Sequence, residues 1–380
     1  MAMNKVIYIT IFALTPQIER YLLIQDVIEA GIKVEYWDLK GIYFKDRHFE
    51  NAVSREYIRE VNSLEELKAR LKNEDLTETV FVLQVYFGWQ ILSLYLIITR
   101  FGCKIVYFPW VMYARKALIT RIIDKLRPID FFRASLDLIA KLCKKAGLVK
   151  KYDLVFTAGQ LTRDAFKDHG KVVNINYVDY DYYQLSKNKP ERIVSGDYCV
   201  FLDEGCVHNP NVKILKMEEL DPDRFYGVLN RFFDVIEKKF RLKIVIAAHP
   251  GINYDRSIFE GRETYEGKTC ELVKDCKFVI SQSSTSTSFA VLYKKPIIFI
   301  YTDEYALKRK TSFRTLEFLS NKLGLKSYNI DLRENLDTFE IPDINSGLYD
   351  DYKYNCLTSK ESENELSKDI IIRSLRDFRI

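Results

Sequence analysis

The regular alternation of short, apolar, β-rich runs with segments of helical periodicity limits this chain more than any other feature. In the first half such runs occur at 5–13, 34–39 and 79–86, and apolar residues recur at helical spacing between them. Gly31 and Gly102 stand where two of these helices are expected to end. A strand, a helix and a second strand form a βαβ unit with parallel strands and a right-handed crossover. The pattern therefore predicts an α/β fold with parallel sheets.

The second half of the chain repeats this pattern. Strands are predicted at 198–202, 243–248, 278–281 and 296–301, with a long amphipathic helix at 223–240. A chain of 380 residues is also longer than a typical single hydrophobic core supports. We therefore expect two successive, doubly wound, Rossmann-like domains that face a cleft.

A mostly polar segment separates the two predicted domains. Residues 181–197 include Pro190 and Gly196, and we interpret them as an interdomain linker. The first domain is then predicted to cover 1–180 and the second 198–380.

Charge and cysteine usage exclude some classes of protein. The net charge is +5 with basic and acidic residues interleaved, so no nucleic-acid partner is expected. The seven cysteines form no C-x-x-C pair, and several stand in apolar stretches, as is typical of reduced thiols in a cytosolic protein. The apolar run 6–14 is too short to span a bilayer, so we expect it to be neither a signal peptide nor a membrane span.

Three short motifs follow predicted strands of the second half. The carboxyl ends of parallel strands share one edge of a sheet, and open α/β sheets bind their ligands at that edge. The motifs are Asp203-Glu204-Gly205, His249-Pro250-Gly251 and the serine-rich run 281–288. Together they form the candidate site.

The serine-rich run has the chemistry of a phosphate site. Ser283, Ser284 and Thr285 stand just before a predicted helix, where free backbone N–H groups and hydroxyl donors come together. Ordinary N-capping is the alternative, but a cap needs only one or two such hydroxyls. The run contains more hydroxyls than a cap needs, and this excess favours a bound phosphate.

The other two motifs supply groups for proton transfer. His249 can donate to a phosphate or protonate a leaving group, although a histidine at a strand end is often structural. Asp203 can deprotonate an acceptor hydroxyl, with Glu204 as a supporting group; a solvated acidic turn is the alternative for both carboxylates. Arg262 is close to the serine-rich run in sequence, and either a donor contact or a surface position fits it.

The order acid-acid-Gly, His-Pro, Ser-Ser/Thr resembles the motifs of bacterial sialyltransferases, polysialyltransferases and Kdo transferases. These are GT-B enzymes that use CMP-activated nonulosonic or ulosonic acids. The long spacing from Gly205 to His249 departs from some of these families. The resemblance implies a GT-B fold, with 1–180 as the acceptor domain and 198–380 as the nucleotide-sugar donor domain.

The resemblance also implies roles for the motif residues. Asp203 is then the general base, and Glu204 remains the alternative base. His249 assists departure of the nucleotide, and CMP is expected to bind between the domains, mainly to the second. The residues expected to contact the donor are His249, Pro250, Gly251, Arg262, Ser283, Ser284 and Thr285.

These inferences predict an inverting glycosyltransferase that moves a sialic acid-like or Kdo sugar from a CMP donor to a surface polysaccharide, in capsule or lipopolysaccharide biosynthesis. The alternative enzyme is a GT-B transferase with a UDP-sugar or CDP-polyol donor. Besides the nucleotide-sugar donor, no cofactor is expected. The D-x-D sequences at 179–181 and 221–223 resemble the metal-binding motif of another glycosyltransferase fold, but the second fits a helix cap, so no metal is expected.

One basic stretch indicates a further partner. Residues 115–151 hold eleven Lys or Arg and three Asp, and their apolar residues recur at helical spacing. Basic amphipathic helices can lie on anionic membranes, while a solvated helix face is the alternative. We expect a cytoplasmic protein, peripheral on the inner face of the bacterial membrane, with a glycan or glycolipid acceptor. A non-catalytic protein that binds anionic membranes is the rival from another class.

Overall fold

The computed structural model describes residues 3–44, 52–85, 87–109, 128–208, 218–249, 252, 255–332 and 339–378, with the backbone alone for 128–134 and 256. The chain divides into two compact units. We call 1–178 with 358–380 the first unit and 179–357 the second unit.

In the described part of the first unit, seven parallel strands form one sheet. Its order is β3-β2-β1-β4-β5-β6-β7, so the chain proceeds from β1 toward one edge and then continues from β4 toward the other. The strands are β1 Lys5–Thr10, β2 Lys33–Asp38, β3 Ile58–Glu60, β4 Thr79–Gln84, β5 Lys104–Tyr107, β6 Leu154–Ala158 and β7 Lys171–Ile175.

Both faces of this sheet are buried. Ile7 and Ile9 of β1 belong to one apolar cluster, and the alternate residues Val6 and Tyr8 belong to another. Successive side chains of a strand point to opposite faces, so the two clusters are the cores on the two sides of the sheet. Continuous apolar strands of this kind are typical of parallel sheets covered by helices on both faces.

The described second unit contains a parallel sheet of six strands in the order β10-β9-β8-β11-β12-β13. This is the Rossmann order 3-2-1-4-5-6, with β8 as the first strand. The strands are β8 Tyr198–Leu202, β9 Lys243–Ala248, β10 Thr264–Glu266, β11 Val279–Ser281, β12 Ile297–Tyr301 and β13 Ser327–Asn329.

Helices supply most of the crossovers that parallel strands require. The α-helices of the described residues are α1 Pro16–Tyr21, α2 Ile24–Glu29, α3 Lys40–Tyr43, α4 Leu64–Asn73, α5 Leu92–Arg100, α6 Pro128–Lys145, α7 Gly159–Phe166, α8 Val178–Ser186, α9 Pro222–Phe240, α10 Thr269–Asp275, α11 Thr287–Leu292, α12 Asp303–Lys308, α13 Lys310–Lys322, α14 Ser346–Tyr352 and α15 Ser367–Arg376. Short 3-10 turns lie at Trp89–Ile91 and Arg256–Phe259, and a π-helical segment at Lys353–Leu357.

Local chemistry explains where the helices begin. Thr15 and Asp221 each cap a helix by accepting a hydrogen bond from a backbone N–H three residues on, at 3.2 and 3.1 Å. Pro16 and Pro222 follow these caps as the first helical residues, where their missing N–H has no helical partner to lose. The capping role predicted for Asp221 is thus present.

The predicted linker 181–197 begins as a helix. α8 covers its first residues because Tyr180 is buried and Tyr183 packs edge-on against Tyr293, with ring centroids 4.9 Å apart. These contacts place the segment in the second unit, which starts at 179. Apolar packing by tyrosines therefore outweighs the polar composition of the segment.

The C-terminal residues 358–380 group with the first unit, although they were predicted in the second domain. The reason is α15, whose Ile371 and Leu375 are buried in the apolar cluster that also contains Val6 and Tyr8. The chain thus returns to its first core at its end.

The basic stretch 115–151 is described from 128 onward, so the prediction for 115–127 lies outside the described residues. The remainder forms α6 and the turn after it. Among the helices of the described part, none combines the length and apolarity needed to cross a membrane.

Candidate functional site

The three motifs follow neighbouring strands of the second sheet. Leu202 of β8 pairs with Ala247 of β9 on one side and with Ser281 of β11 on the other. The chain therefore leaves β8, β9 and β11 at the same edge. The order of strands reverses between β8 and β11, and such switch points are where doubly wound sheets bind ligands. The predicted common edge is present, and we call it the switch edge.

Asp203 closes the turn after β8. Its backbone N–H donates to the carbonyl of Ala247 at 3.1 Å, and its Oδ1 accepts from the N–H of Gly205 at 3.1 Å. The residue is 6% exposed. It is therefore a buried carboxyl built into the turn, not a solvated surface group.

Gly205 allows the β8 loop to lie against the β9 loop. Its φ is +64°, and an added Cβ would be 2.2 Å from Ile252 Cδ1 and 3.3 Å from His249 Cβ. A larger side chain would have to displace the end of the Ile252 side chain and would also strain the backbone. The glycine thus brings the acidic motif and the histidine motif together.

Glu204 is held by the serine-rich run. Its Oε2 accepts from the backbone N–H of Ser283 at 3.1 Å and from the Ser283 hydroxyl. The Ser283 hydroxyl in turn accepts from the hydroxyl of Tyr305 at 3.0 Å. Oε1 of Glu204 is buried and has no hydrogen-bond partner among the described residues. Glu204 is thus bonded to the loop through one oxygen, and its other oxygen is buried without a partner among the described residues.

The environment changes the acidity of Glu204. Burial raises the pKa of its carboxyl because the charged form loses hydration, and the nearby charge of Asp203 adds to this effect. Hydrogen bonding from Ser283 and Tyr305 acts in the opposite direction, because it stabilises the carboxylate. The net pKa is above that of an ordinary glutamate.

The hydroxyls of the serine-rich run divide into two groups. Ser281 and Thr287 hydrogen-bond each other at 2.9 Å and are fully buried, so they belong to the fold. Ser284 and Thr285 are half-buried and exposed, respectively, and Ser284 Oγ accepts a weak bond from Ser286 N at 3.3 Å. Ser284 and Thr285 therefore keep hydroxyls that a ligand can reach.

Ser288 joins the serine-rich run to α8. Its hydroxyl donates to Asp179 and to the carbonyl of Thr285. Burial raises the pKa of Asp179 to about 7, while the hydrogen bond from Ser288 opposes this shift. The first acid of the D-x-D sequence at 179–181 thus has a structural partner.

His249 follows β9 directly and is partly buried. Its Nδ1 is buried and has no hydrogen-bond partner among the described residues. Its Cβ and Cγ lie beside Gly205. Pro250 and Gly251, which we predicted as donor contacts, lie outside the described residues.

Arg262 is engaged in a network of its own. Its guanidinium is paired with Glu237 at 2.8 Å and Asp234 at 2.5 Å, donates to Asn230, and lies over the ring of Phe233. Its side chain is 8% exposed. These contacts fasten the turn before β10 to α9, so Arg262 has a structural role in place of the donor contact expected from the sequence.

Sequence reasoning missed two residues beside the switch edge. Tyr305 is fully buried in α12, and Arg309 is 2% exposed and donates to the carbonyls of Cys206, at 3.0 Å, and Glu218. Both follow β12, the neighbour of β11. The strand-end rule that found the three motifs would have drawn attention to this segment too, had it been applied to β12.

No group of three or more His, Cys, Asp or Glu in the described ranges is placed to hold a metal ion. The expectation that the chemistry needs no metal stays a prediction.

The solved structures that resemble the chain include the following three. Wall teichoic acid polymerase TagF has a TM-score of 0.50 and 11% identity, covering 98% of this chain and 89% of its own. UGT2 of Phytolacca americana, complexed with UDP-2-fluoroglucose and pterostilbene, has a TM-score of 0.48 and 8% identity, covering 98% and 94%. The glycosyltransferase SnogD of Streptomyces nogalater has a TM-score of 0.45 and 11% identity, covering 99% of both chains.

A scan against protein-family models and a search of curated proteins found no match. The likeness to the polymerase extends over nearly the whole chain and, at this identity, concerns the fold alone. With the two parallel sheets, it confirms the predicted α/β, GT-B architecture.

Proposed function

We propose that this chain is an inverting GT-B glycosyltransferase that moves a nucleotide-activated sugar to a hydroxyl of a surface glycan. One observation carries the proposal. At the switch edge, two buried side-chain atoms, Glu204 Oε1 and His249 Nδ1, have no hydrogen-bond partner among the described residues. Buried polar atoms are almost always satisfied, so these two exceptions point to a ligand that supplies the partners.

The groups at this edge suit displacement at a sugar carbon. A carboxylate of the acidic motif takes the proton of the acceptor hydroxyl, and the sequence motif favours Asp203 for this role. His249, Ser284 and Thr285 hold the phosphate and stabilise the negative charge that develops on it as the bond to the sugar breaks. Ser283 contributes indirectly, because its N–H and hydroxyl are bonded to Glu204.

The second unit is the donor domain in this proposal, and the first unit is the acceptor domain. A UDP-sugar donor has more support than a CMP donor, and a CDP-polyol donor stays an alternative. A UDP-sugar is present in the Phytolacca complex, whereas a CMP-linked sialic acid-like or Kdo donor rests on the three motifs alone. The acceptor is a glycan or glycolipid of the cell surface.

The experiment is a thermal screen of the full chain against UDP, CDP, CMP and GDP. A cognate nucleotide at about one hundred times its Kd stabilises the folded state by about 2.7 kcal/mol, which raises the unfolding midpoint measurably. We expect one pyrimidine nucleotide to do this. If none of the four changes the midpoint, the protein is not a transferase of this kind.

We further propose that α6 docks on an anionic membrane. Leu138, Ile139, Leu142 and Leu148 are each more than half exposed, and Ala140 on the other side of α6 is fully buried. Leu138 and Leu142 lie one turn apart, with the exposed Lys141 between them in sequence. Apolar side chains beside lysines on one face fit the headgroup region of an anionic bilayer.

The test is sedimentation with liposomes of phosphatidylglycerol and, separately, of phosphatidylcholine. We expect binding to the anionic vesicles that weakens as salt rises and decreases in Leu138→Gln with Leu142→Gln. The control replaces Leu185 and Leu307, which are as exposed but belong to the second unit. Equal binding to both lipids, or an equal loss in the control, contradicts docking through α6. Membrane binding with no nucleotide binding would favour the non-catalytic rival.

A further inference from the structure

The two carboxylates of the acidic motif have different surroundings. Asp203 Oδ1 accepts the N–H of Gly205 and so closes the turn after β8. Glu204 has both of its hydrogen bonds on Oε2, and its buried Oε1 has no partner among the described residues. The oxygen that is ready to accept a proton from a ligand therefore belongs to Glu204.

A chain of hydrogen bonds fixes the direction of that oxygen. Tyr305 donates to Ser283 Oγ, and Ser283 donates to Glu204 Oε2 through both its hydroxyl and its backbone N–H. Two donors on one oxygen leave the carboxylate little freedom to rotate. Tyr305 is fully buried, so water does not compete for its hydroxyl.

We propose that Glu204, through Oε1, is the catalytic base of the transfer, and that Tyr305 and Ser283 are its positioning residues. This inference rests on the proposed function. The acceptor O–H bond breaks and its proton passes to Oε1 as the acceptor oxygen forms its bond to the anomeric carbon. The bond from that carbon to the donor phosphate oxygen breaks, and its electron pair leaves with the nucleotide. In this assignment Asp203 has a structural role, since its Oδ1 accepts the N–H of Gly205 in the turn after β8.

Several titratable or charged groups surround Glu204. Asp203 and Cys206 lie on its own loop, and Tyr305 on α12. Arg309 donates to the carbonyl of Cys206, and His249 lies across Gly205. Hydrogen bonds to a carboxylate favour its ionised form, so removing a donor makes Glu204 hold its proton to higher pH.

The test is a titration of the Glu204 carboxyl ¹³C resonance in the full chain, assigned by its loss in Glu204→Gln. We expect it to titrate above the ordinary glutamate range in the wild type. Ser283→Ala is expected to raise its midpoint by about one pH unit, as the loss of a hydrogen bond to a charge predicts. Tyr305→Phe is expected to shift it in the same direction, because Tyr305 polarises the Ser283 hydroxyl that donates to Glu204. Tyr349→Phe is the control, because this buried tyrosine donates to the carbonyl of Lys295, away from Glu204. An ordinary Glu204 midpoint, or one that Tyr305→Phe leaves unchanged, overturns the positioning chain.

Kinetics then test the base. With UDP-glucose, UDP-N-acetylglucosamine, CDP-glycerol and CMP-sialic acid as donors, nucleotide release is followed against pH. We expect Glu204→Gln to lose turnover by about 10²–10⁴-fold, Asp203→Asn to lose less, and Tyr305→Phe to move the acidic limb of kcat/KM upward with the ¹³C midpoint. A dead Asp203→Asn beside an active Glu204→Gln overturns the assignment. If no donor is turned over, the proposed function fails, while the ¹³C titration still decides the positioning of Glu204.

Discussion

Two regions of the second unit differ in how completely their polar groups are satisfied. Around Arg262, the guanidinium has two carboxylates and an amide oxygen as partners, and its side chain is almost fully covered. At the switch edge, Glu204 and His249 each keep one buried atom without a partner among the described residues. Both regions contain residues that the sequence indicated as donor contacts.

Whether the protein supplies all the partners of a polar side chain indicates whether that side chain stabilises the fold or binds a ligand. A charge whose partners are all supplied by the protein stabilises the fold and has little left to offer a ligand. A buried atom left without a partner costs free energy in the empty protein, and a ligand that supplies the partner recovers that cost. Substitutions in the Arg262 region should therefore change stability, and those at the switch edge should change binding.

The largest effect is expected for Arg262→Met. It leaves the carboxylates of Asp234 and Glu237 without their cation, and we expect the free energy of unfolding to fall by about 3 kcal/mol, the lower end for a buried pair because both carboxylates keep some access to water. Urea unfolding measures the change. The control Lys243→Met removes an exposed pair with Glu263 and should cost less than about 1 kcal/mol. A loss of nucleotide affinity in Arg262→Met at unchanged stability would reverse the comparison.

A smaller effect is expected for Asp179→Asn, and it depends on pH. The folded-state pKa of Asp179 is about 7, above the ordinary 3.8, so the folded protein holds this proton while the unfolded chain releases it. Wild-type stability therefore falls as pH rises from about 4 to 7. Asparagine does not ionise and still accepts from Ser288, so the variant should gain on the order of 2 kcal/mol at pH 8 and nothing at pH 4.

Unfolding at several pH values measures this gain. A gain that is equal at pH 4 and pH 8 would mean that Asp179 does not titrate with a raised pKa. Nucleotide affinity should be unchanged, because this carboxyl has its partner within the protein.

The smallest expected effect is the difference in stability cost between alanine substitutions at two glycines, one from each region. Gly205 and Gly261 both have positive φ, at +64° and +81°, but an added Cβ meets nothing within 4 Å at Gly261 and lies 2.2 Å from Ile252 at Gly205. We expect Gly261→Ala to cost about 1 kcal/mol from backbone strain alone, and Gly205→Ala about 1 kcal/mol more. Only Gly205→Ala should weaken nucleotide binding, because its Cβ presses on Ile252 and on His249 beside it. Thermal unfolding and calorimetry decide this, and equal costs would contradict the close approach.

Much of the fold could be predicted from the sequence, because parallel strands buried on both faces are continuous apolar runs. β1, β4, β8 and β9 all lie within predicted strands. The helix expected to end at Gly31 is instead broken in two where Leu23 adopts a left-handed conformation. Such a break depends on tertiary packing, which periodicity does not register.

The site was predictable as far as the strand-end rule extends. It brought together the acidic motif, His249 and the serine-rich run, because β8, β9 and β11 are neighbours. The strand-end rule does not indicate which side chains find their hydrogen-bond and ion-pair partners within the protein. That Ser283 is bonded to Glu204, and that Arg262 is paired with residues of α9, follows from three-dimensional contacts between residues far apart in sequence.

The most direct test of the switch edge as the nucleotide site is calorimetric titration of UDP, CDP and CMP into the full chain and three variants. The variants are His249→Ala, Ser284→Ala with Thr285→Ala, and Arg262→Met. We expect one nucleotide to bind the wild type, with affinity at least about tenfold weaker in each of the first two variants and unchanged in Arg262→Met, because hydrogen bonds to a charged phosphate are each worth about 1.5–3 kcal/mol. Binding that survives in both switch-edge variants and is lost in Arg262→Met would contradict the account.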